Sequence, residues 1–156
     1  MKDARFVFGE HVVPLKAPVD SIDTDIASPY VNLKDALHAT FFAYFGVLSG
    51  TSSDQLITVT MEASTSTTSN ATEVSLPFSY RLSGATGTDT WGAVTAVANT
   101  GVDVAISSAD GKMLMIDIDP AAIEKAHGQR DAKFVRLVGT ITDTGTVTLN
   151  AVWAVL

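Results

Sequence analysis

Cysteine is absent from the 156 residues, so neither a disulfide nor a thiolate metal site holds this fold together. Positive charge is scarce as well. Ten Lys and Arg stand against 17 Asp and Glu, for a net charge of -7, and between Lys34 and Lys112 the only basic residue is Arg81. Binding to a phosphate backbone draws on clustered cations that release counterions. Without such a cluster the expectation is no nucleic-acid partner, and anionic membrane surfaces are disfavoured on the same ground. Long apolar runs are missing too: the longest, around Phe41–Leu48, falls far short of the ~20 residues a spanning helix needs. The opening MKDARFVFGEH has no apolar signal-peptide core, which predicts a protein made and assembled in the cytoplasm.

What remains is rich in Ser, Thr and apolar residues. Hydrophobic residues make up 46% and charged ones only 17%, below the ~25% usual for soluble domains. Thr and Val suit a pleated, half-buried surface, and the chain reads as strands. Ala39–Leu48 puts Phe41, Ala43 and Phe45 on one face and Phe42 and Tyr44 on the other. Gln55–Ser64 alternates Ile57, Val59, Met61 and Ala63 against Thr58, Thr60 and Glu62. Glu73–Leu82 aligns Leu76, Phe78, Tyr80 and Leu82, with Pro77 predicting an edge strand or a bulge. His11–Leu15 is a further strand in which Pro14 again marks an edge or bulge. Two short strands, Trp91–Val97 and Val102–Ile106, flank Asn99–Gly101, and Lys112–Ile118 follows a tight Asp110-Gly111 turn. Phe134–Ile141 and Thr146–Leu156 are expected to form a closing hairpin. Ala17–Pro29 reads as a loop and Tyr30–Leu33 as a short extended piece.

Asp119–Gly128 is the one clear helix, with Asp119 as N-cap, Pro120 in the first turn and Gly128 as the stop. About eight strands at 8–12-residue spacing and one short helix predict an all-β fold, a jelly-roll-like antiparallel β-sandwich, with an immunoglobulin-like sandwich as the second choice. Residues 1–10 are expected to form an N-terminal arm or edge strand, and 11–156 a single β-sandwich domain without internal repeats.

Catalytic signatures are wanting. The chain has no H-E-x-x-H, no G-x-S-x-G and no P-loop. His11, His38 and His127 are far apart in sequence and are expected to be structural or solvated, His127 suiting the negative end of the helix dipole. Asp20, Asp23 and Asp25 form the one weak candidate for a metal loop, with calcium as the ion; the spacing is not that of an EF-hand, and turn-forming aspartates are the plainer reading. Glu62 with Glu73, or Asp117 with Asp119, stand close enough to be weighed as the carboxyl pair of a glycosidase, yet nothing singles out either pair. Trp91 and Trp153 are weighed as a sugar platform and expected to pack in the core. The Ser83–Thr90 glycines precede a strand rather than a helix, which predicts a hairpin turn and not a phosphate cradle. The expectation is a protein without enzymatic activity and without cofactors.

Apolar surface rises above this background. Phe41–Phe45 and the last strand, VTLNAVWAVL, are apolar on both faces, whereas an antiparallel sheet usually leaves one face wet. Burial against a neighbouring chain and a central place in the sandwich both account for this. Phe6, Phe8, Phe42, Tyr44 and Trp153 are the candidate contact residues.

The stretch HVVPLKAPVDSIDTDIASPYVNLKDALHATFFAYFGVLSG, with QLITVTMEAS, FSYRLSGATGTDTWGAV, GKMLMIDIDPAAI and AKFVRLVG, resembles virion structural proteins of tailed bacteriophages, nearest to the jelly-roll cement or decoration proteins of phage heads. The likeness runs from about His11 to Val138 and is one of overall pattern. It implies a capsid-surface protein that bridges major capsid subunits, acts as a dimer or trimer, and carries no catalytic residues. A carbohydrate- or receptor-binding module of a tail or fibre is the alternative.

Overall fold

The computed structural model describes residues 11–16, 25–46, 56–68, 73–105, 109–128, 132–141 and 149–156. Among these residues twelve strands and one helix follow one another. They are β1 (Val12–Lys16), β2 (Ile26–Ala27), β3 (Val31–Asn32), β4 (Ala39–Phe45), β5 (Leu56–Ser64), β6 (Val74–Leu76), β7 (Phe78–Leu82), β8 (Thr95–Val97), β9 (Val102–Ala105), β10 (Met113–Ile118), helix α1 (Pro120–His127), β11 (Phe134–Ile141) and β12 (Leu149–Val155). One sheet has the order β1-β12-β4-β10-β7-β8. The second runs β2-β11-β5-β6, with β3 beside β2 on the same edge of β11, and β9 beside β6 on the same edge of β5.

Every pairing among the described strands is antiparallel. With β2 and β3 taken as one column and β6–β8 set aside as an insertion, eight columns remain. Their order is first-eighth-third-sixth in one sheet and second-seventh-fourth-fifth in the other. Successive strands thus cross between the sheets as two interlocked Greek keys, and the fold is a jelly-roll sandwich.

The core forms between the sheets from the residues that alternation assigns inward. Phe41, Ala43 and Phe45 of β4 are fully buried, facing Val59 and Met61 of β5 and Val135 and Leu137 of β11, with Leu114 and Ile116 of β10 beside them. β4 lies between β12 and β10, so its all-apolar character reflects a central place in its sheet as well as an outward face that stays apolar. β1 is an edge strand with a register shift between Pro14 and Lys16. Pro14 donates nothing to a ladder, and an edge with a bulge is where that is tolerated.

Helix α1 starts and stops where its ends dictate. The Asp119 carboxylate accepts from the Ala121 N–H at 2.9 Å, Pro120 fills the first turn, and Gly128 at φ 74° donates back to the Glu124 carbonyl. Only glycine takes this left-handed cap without steric cost. The helix carries the chain from β10 in one sheet to β11 in the other, and buries Ile123 and His127.

Five expectations are corrected. The described residues hold twelve strands rather than eight. Glu73–Leu82 is not one strand: it breaks at Pro77 into β6 and β7, which belong to different sheets. Missing an N–H, Pro77 cannot continue a ladder, and the chain changes sheet there. β11 and β12 form no hairpin, since β11 pairs with β5 and β12 with β4. Of the segment Trp91–Val97 only Thr95–Val97 is strand, and Ile26–Ala27, read as loop, pairs with Val138 and Gly139.

Candidate interaction surface

The two sheets differ on their outer faces. On the sheet built around β5 and β11, most outward positions are polar and paired across strands, with Phe134 and Val138 the apolar residues among them. Thr58 lies opposite Thr140 and donates to the Asp103 carboxylate at 2.6 Å, and Glu62 lies opposite Arg136. This is the wet face an antiparallel sandwich ordinarily shows.

Arg136 organises that face. Its Nε donates to Glu62 Oε2 at 2.9 Å, and a terminal nitrogen lies 2.8 Å from Glu62 Oε2 and 2.8 Å from Glu73 Oε2. The guanidinium sits 4.8 Å from the centroid of the Tyr30 ring, and the Tyr30 hydroxyl donates to Glu73 Oε1 at 2.5 Å. Burial, and then the hydrogen bond to Glu73, push the Tyr30 phenol from 10.0 up to about 12, against the opposing pull of Arg136. Burial works against the Arg136 charge, but the hydrogen bond and charge of Glu62 outweigh it and hold the guanidinium above its ordinary value. Glu62 and Glu73, weighed as a carboxyl pair, do come together, each engaged with Arg136. Tyr30 and Arg136 were missed. Arg136 is the one charge in FVRLVGTI and Glu62 the one charge in LITVTMEAS, so two lone opposite charges at outward positions were the available signal.

The outer face of the other sheet is different. Register places its side chains in rows across the strands. The middle row runs Pro14, Trp153, Phe42, Met115, Arg81. Tyr44 and Met113 lie beyond it on one side, Thr40, Asp117 and Ser79 on the other. Phe42 and Trp153 stack with centroids 5.5 Å apart and planes within 13°. Val12 at the β1 edge is 50% exposed. Across these rows the charges are Asp117 and Arg81. Asp117 accepts from the Thr40 hydroxyl at 2.9 Å. Arg81 has its Nε buried with no hydrogen-bond partner.

Of the expected contact residues, Phe42, Tyr44 and Trp153 therefore share one half-buried outer face. Phe6 and Phe8 lie outside the described residues. The expectation that Trp91 and Trp153 pack in the core is corrected. Trp153 faces outward on Phe42, and Trp91, 37% exposed, pairs with Ser83 on the inserted segment, so the two make no common platform. Each points away from the core because alternation puts it opposite an outward neighbour. Val94 on the same insertion is 54% exposed, and Leu37, in the turn before β4, is 94% exposed.

The other candidates separate. Asp20 and Asp23 lie outside the described residues. Asp25 accepts from the Ile141 N–H at 2.9 Å and so secures the end of β11. Asp117 and Asp119 have separate tasks, one bonded to Thr40 and one capping α1. His11 and His38 line one open pocket of about 540 Å³ together with Asp35 and Leu37. Among the described residues no group of three His, Asp or Glu is arranged to hold a metal, and no helix is long and apolar enough to cross a membrane.

Comparison with protein-family models, with curated proteins and with solved structures gave no match.

Proposed function

We propose that this chain is a non-enzymatic virion structural protein, a capsid cement protein that binds the major capsid protein lattice of a tailed phage and stabilises it. The observation that carries the reading is the contrast between the two outer faces: one mostly polar, the other built around an apolar row of Pro14, Trp153, Phe42 and Met115 with few charges in a chain of net charge -7. An apolar face of this kind on a β-sandwich suits lasting contact with protein rather than with water. The sequence resemblance to head decoration proteins supplies the kind of assembly. Further apolar side chains stand out at separate places, Trp91 and Val94 on the inserted segment and Leu37 at the other end of the sandwich. Several modest contacts, repeated around a closed lattice, add up to a large avidity. The virion is then its place of residence.

The test is co-sedimentation of the purified protein with expanded shells lacking it, from the virus that encodes the chain. Saturable binding at a fixed ratio to the major capsid protein, with raised heat resistance of the shell, is the expected result. Absence of binding to such shells overturns the reading.

The half-buried Phe42–Trp153 pair on the outer face favours a second reading, a carbohydrate- or receptor-binding module of a tail or fibre, since aromatic side chains on an outward sheet face offer apolar surface to a sugar. A change in Trp emission on adding host glycans, at concentrations that leave a Trp153→Ala variant unaffected, would favour it.

A further inference from the structure

We infer that the free β8 edge of the β1-β12-β4-β10-β7-β8 sheet, running from Trp91 to Val97, takes up an extended strand of a different protein by backbone pairing. The inference rests on the reading of this chain as a shell protein, in which that strand belongs to the major capsid protein, and it names how the partner is held.

The edge is longer than β8 itself. β8 pairs with β7 from Thr95 to Val97, and Trp91 forms a further bridge with Ser83. About seven residues thus run beside β7, roughly 23 Å at the rise of a strand. Two hydrogen bonds fix which way the backbone of Trp91 points. The Gly84 N–H donates to the Thr90 carbonyl at 2.8 Å, and the Gly92 N–H donates to the Leu82 carbonyl at 2.9 Å. The residues on either side of Trp91 turn these groups toward β7. Successive residues of an antiparallel strand address opposite neighbours, so Trp91 directs its own N–H and carbonyl to the open side. β8 ends the sheet, and among the described residues no strand pairs with that side.

An open ladder is a template for another extended chain, and proteins ordinarily blunt it with proline or charge. The other sheet edges among the described residues are blunted in this way. β1 carries Pro14 and Lys16, and Pro29 separates β2 from β3. β6 lies between Glu73 and Pro77, and β9 contains Asp103. The Trp91–Val97 edge has neither device: no proline and no charge stands between Asp89 and Asp103. The same stretch leaves Trp91 37% and Val94 54% exposed.

Charge selects the occupant. A second copy would bring a net charge of -7 against another -7, and the stretch is flanked by aspartates. The occupant is therefore a neutral or basic extended segment of another protein. Strand addition of this kind draws affinity from the main chain and specificity from alternate side chains, and the Trp91 ring is the aromatic anchor beside it.

Expanded shells lacking the protein, from the virus that encodes it, are the probe. On them the Trp91 amide is expected to exchange with deuterium about a hundredfold or more slowly than in the free chain, read by mass spectrometry with residue-level fragmentation. The Gly92 amide, already bonded to Leu82, is expected to change little. Trp91→Ala removes the ring and keeps the N–H, whereas Trp91→Pro removes both. Trp91→Pro is expected to bind shells about tenfold more weakly than Trp91→Ala, the worth of one hydrogen bond, with circular dichroism that of the parent. Should Trp91→Pro lose the fold, the exchange readout decides alone. A Trp91 amide that exchanges as fast on the shell as in the free chain overturns the inference and leaves shell binding standing, and so does equal binding by the two folded variants. A Trp91 amide already slow in the purified chain at about 100 μM assigns the edge to a second copy and overturns the inference too. A parent chain that binds no shell overturns the shell reading and this inference with it.

Discussion

Replacing Arg136 with leucine tests the electrostatic account of the polar sheet. The change keeps most of the stem's packing and removes the charge that Glu62 and Glu73 share. The three side chains are 18%, 20% and 30% exposed, which places the cluster between a surface ion pair and a buried one. Surface pairs contribute about 0–1 kcal/mol, whereas partly buried hydrogen bonds to charged groups contribute about 1.5–3 kcal/mol. Here Arg136 makes two contacts to Glu62 and one to Glu73, and lies over the Tyr30 ring. The expected loss is about 2 kcal/mol at neutral pH, part of it from the repulsion left between the two carboxylates. For a domain of this size each kcal/mol moves Tm by about 2–4 °C, so the melting point falls by about 4–8 °C. Urea titration gives the free energy directly. Combined with Glu62→Gln, the loss is expected to fall short of the sum of the single effects by about 1 kcal/mol, since the two residues touch. A loss of Arg136 worth less than about 0.5 kcal/mol, or strict additivity with Glu62→Gln, refutes the account.

Tyr30 is expected to titrate at about 12, read as the difference in absorbance at 295 nm between the parent and Tyr30→Phe. Because the folded state raises this group above its unfolded value of 10.0, its contribution is present in full below pH 10 and is lost as pH rises toward 12. The stability difference from Tyr30→Phe should shrink over that window, and a Tyr30 midpoint near 10.0 would refute the burial and Glu73 bond as its cause. Gly101 has φ +86°, and an added Cβ would lie 2.7 Å from the Val59 carbonyl oxygen; Gly101→Ala should cost about 1–3 kcal/mol in denaturant melts, and a neutral result would contradict this backbone geometry. Asp119→Ala removes the cap bond to Ala121 and should cost about 1 kcal/mol, with Asp119→Ser or Asp119→Asn recovering most of it in the same assay.

Much of the architecture was legible because it is written locally. Alternation in Ala39–Phe45 and Leu56–Ser64 depends on a period of two in a single strand, so the buried sets Phe41, Ala43, Phe45 and Ile57, Val59, Met61 could be read off the chain. The caps of α1 are likewise neighbours of the turns they close. Eight columns with short turns then narrow an all-β chain to few arrangements, and the jelly roll is among them. The outward pairing of Phe42 with Trp153 was half legible: both faces of their strands are apolar, but only register shows that the two rings meet.

Pairing across long separations is not written locally. Arg136 meets Glu62 and Tyr30 meets Glu73 over 74 and 43 residues, and no local pattern encodes which columns adjoin. The expected hairpin of the last two strands failed for the same reason. β11 and β12 look alike as sequence, and each found its partner, β5 or β4, by completing a different sheet around the shared core. Composition and alternation along the chain establish a cysteine-free, acidic β-sandwich in which the Ala39–Phe45 and last strands are apolar on both faces. Only the packed sheets decided that those two strands lie side by side, because a strand's faces follow from its own alternation, whereas its neighbours follow from which inward faces bury one another best.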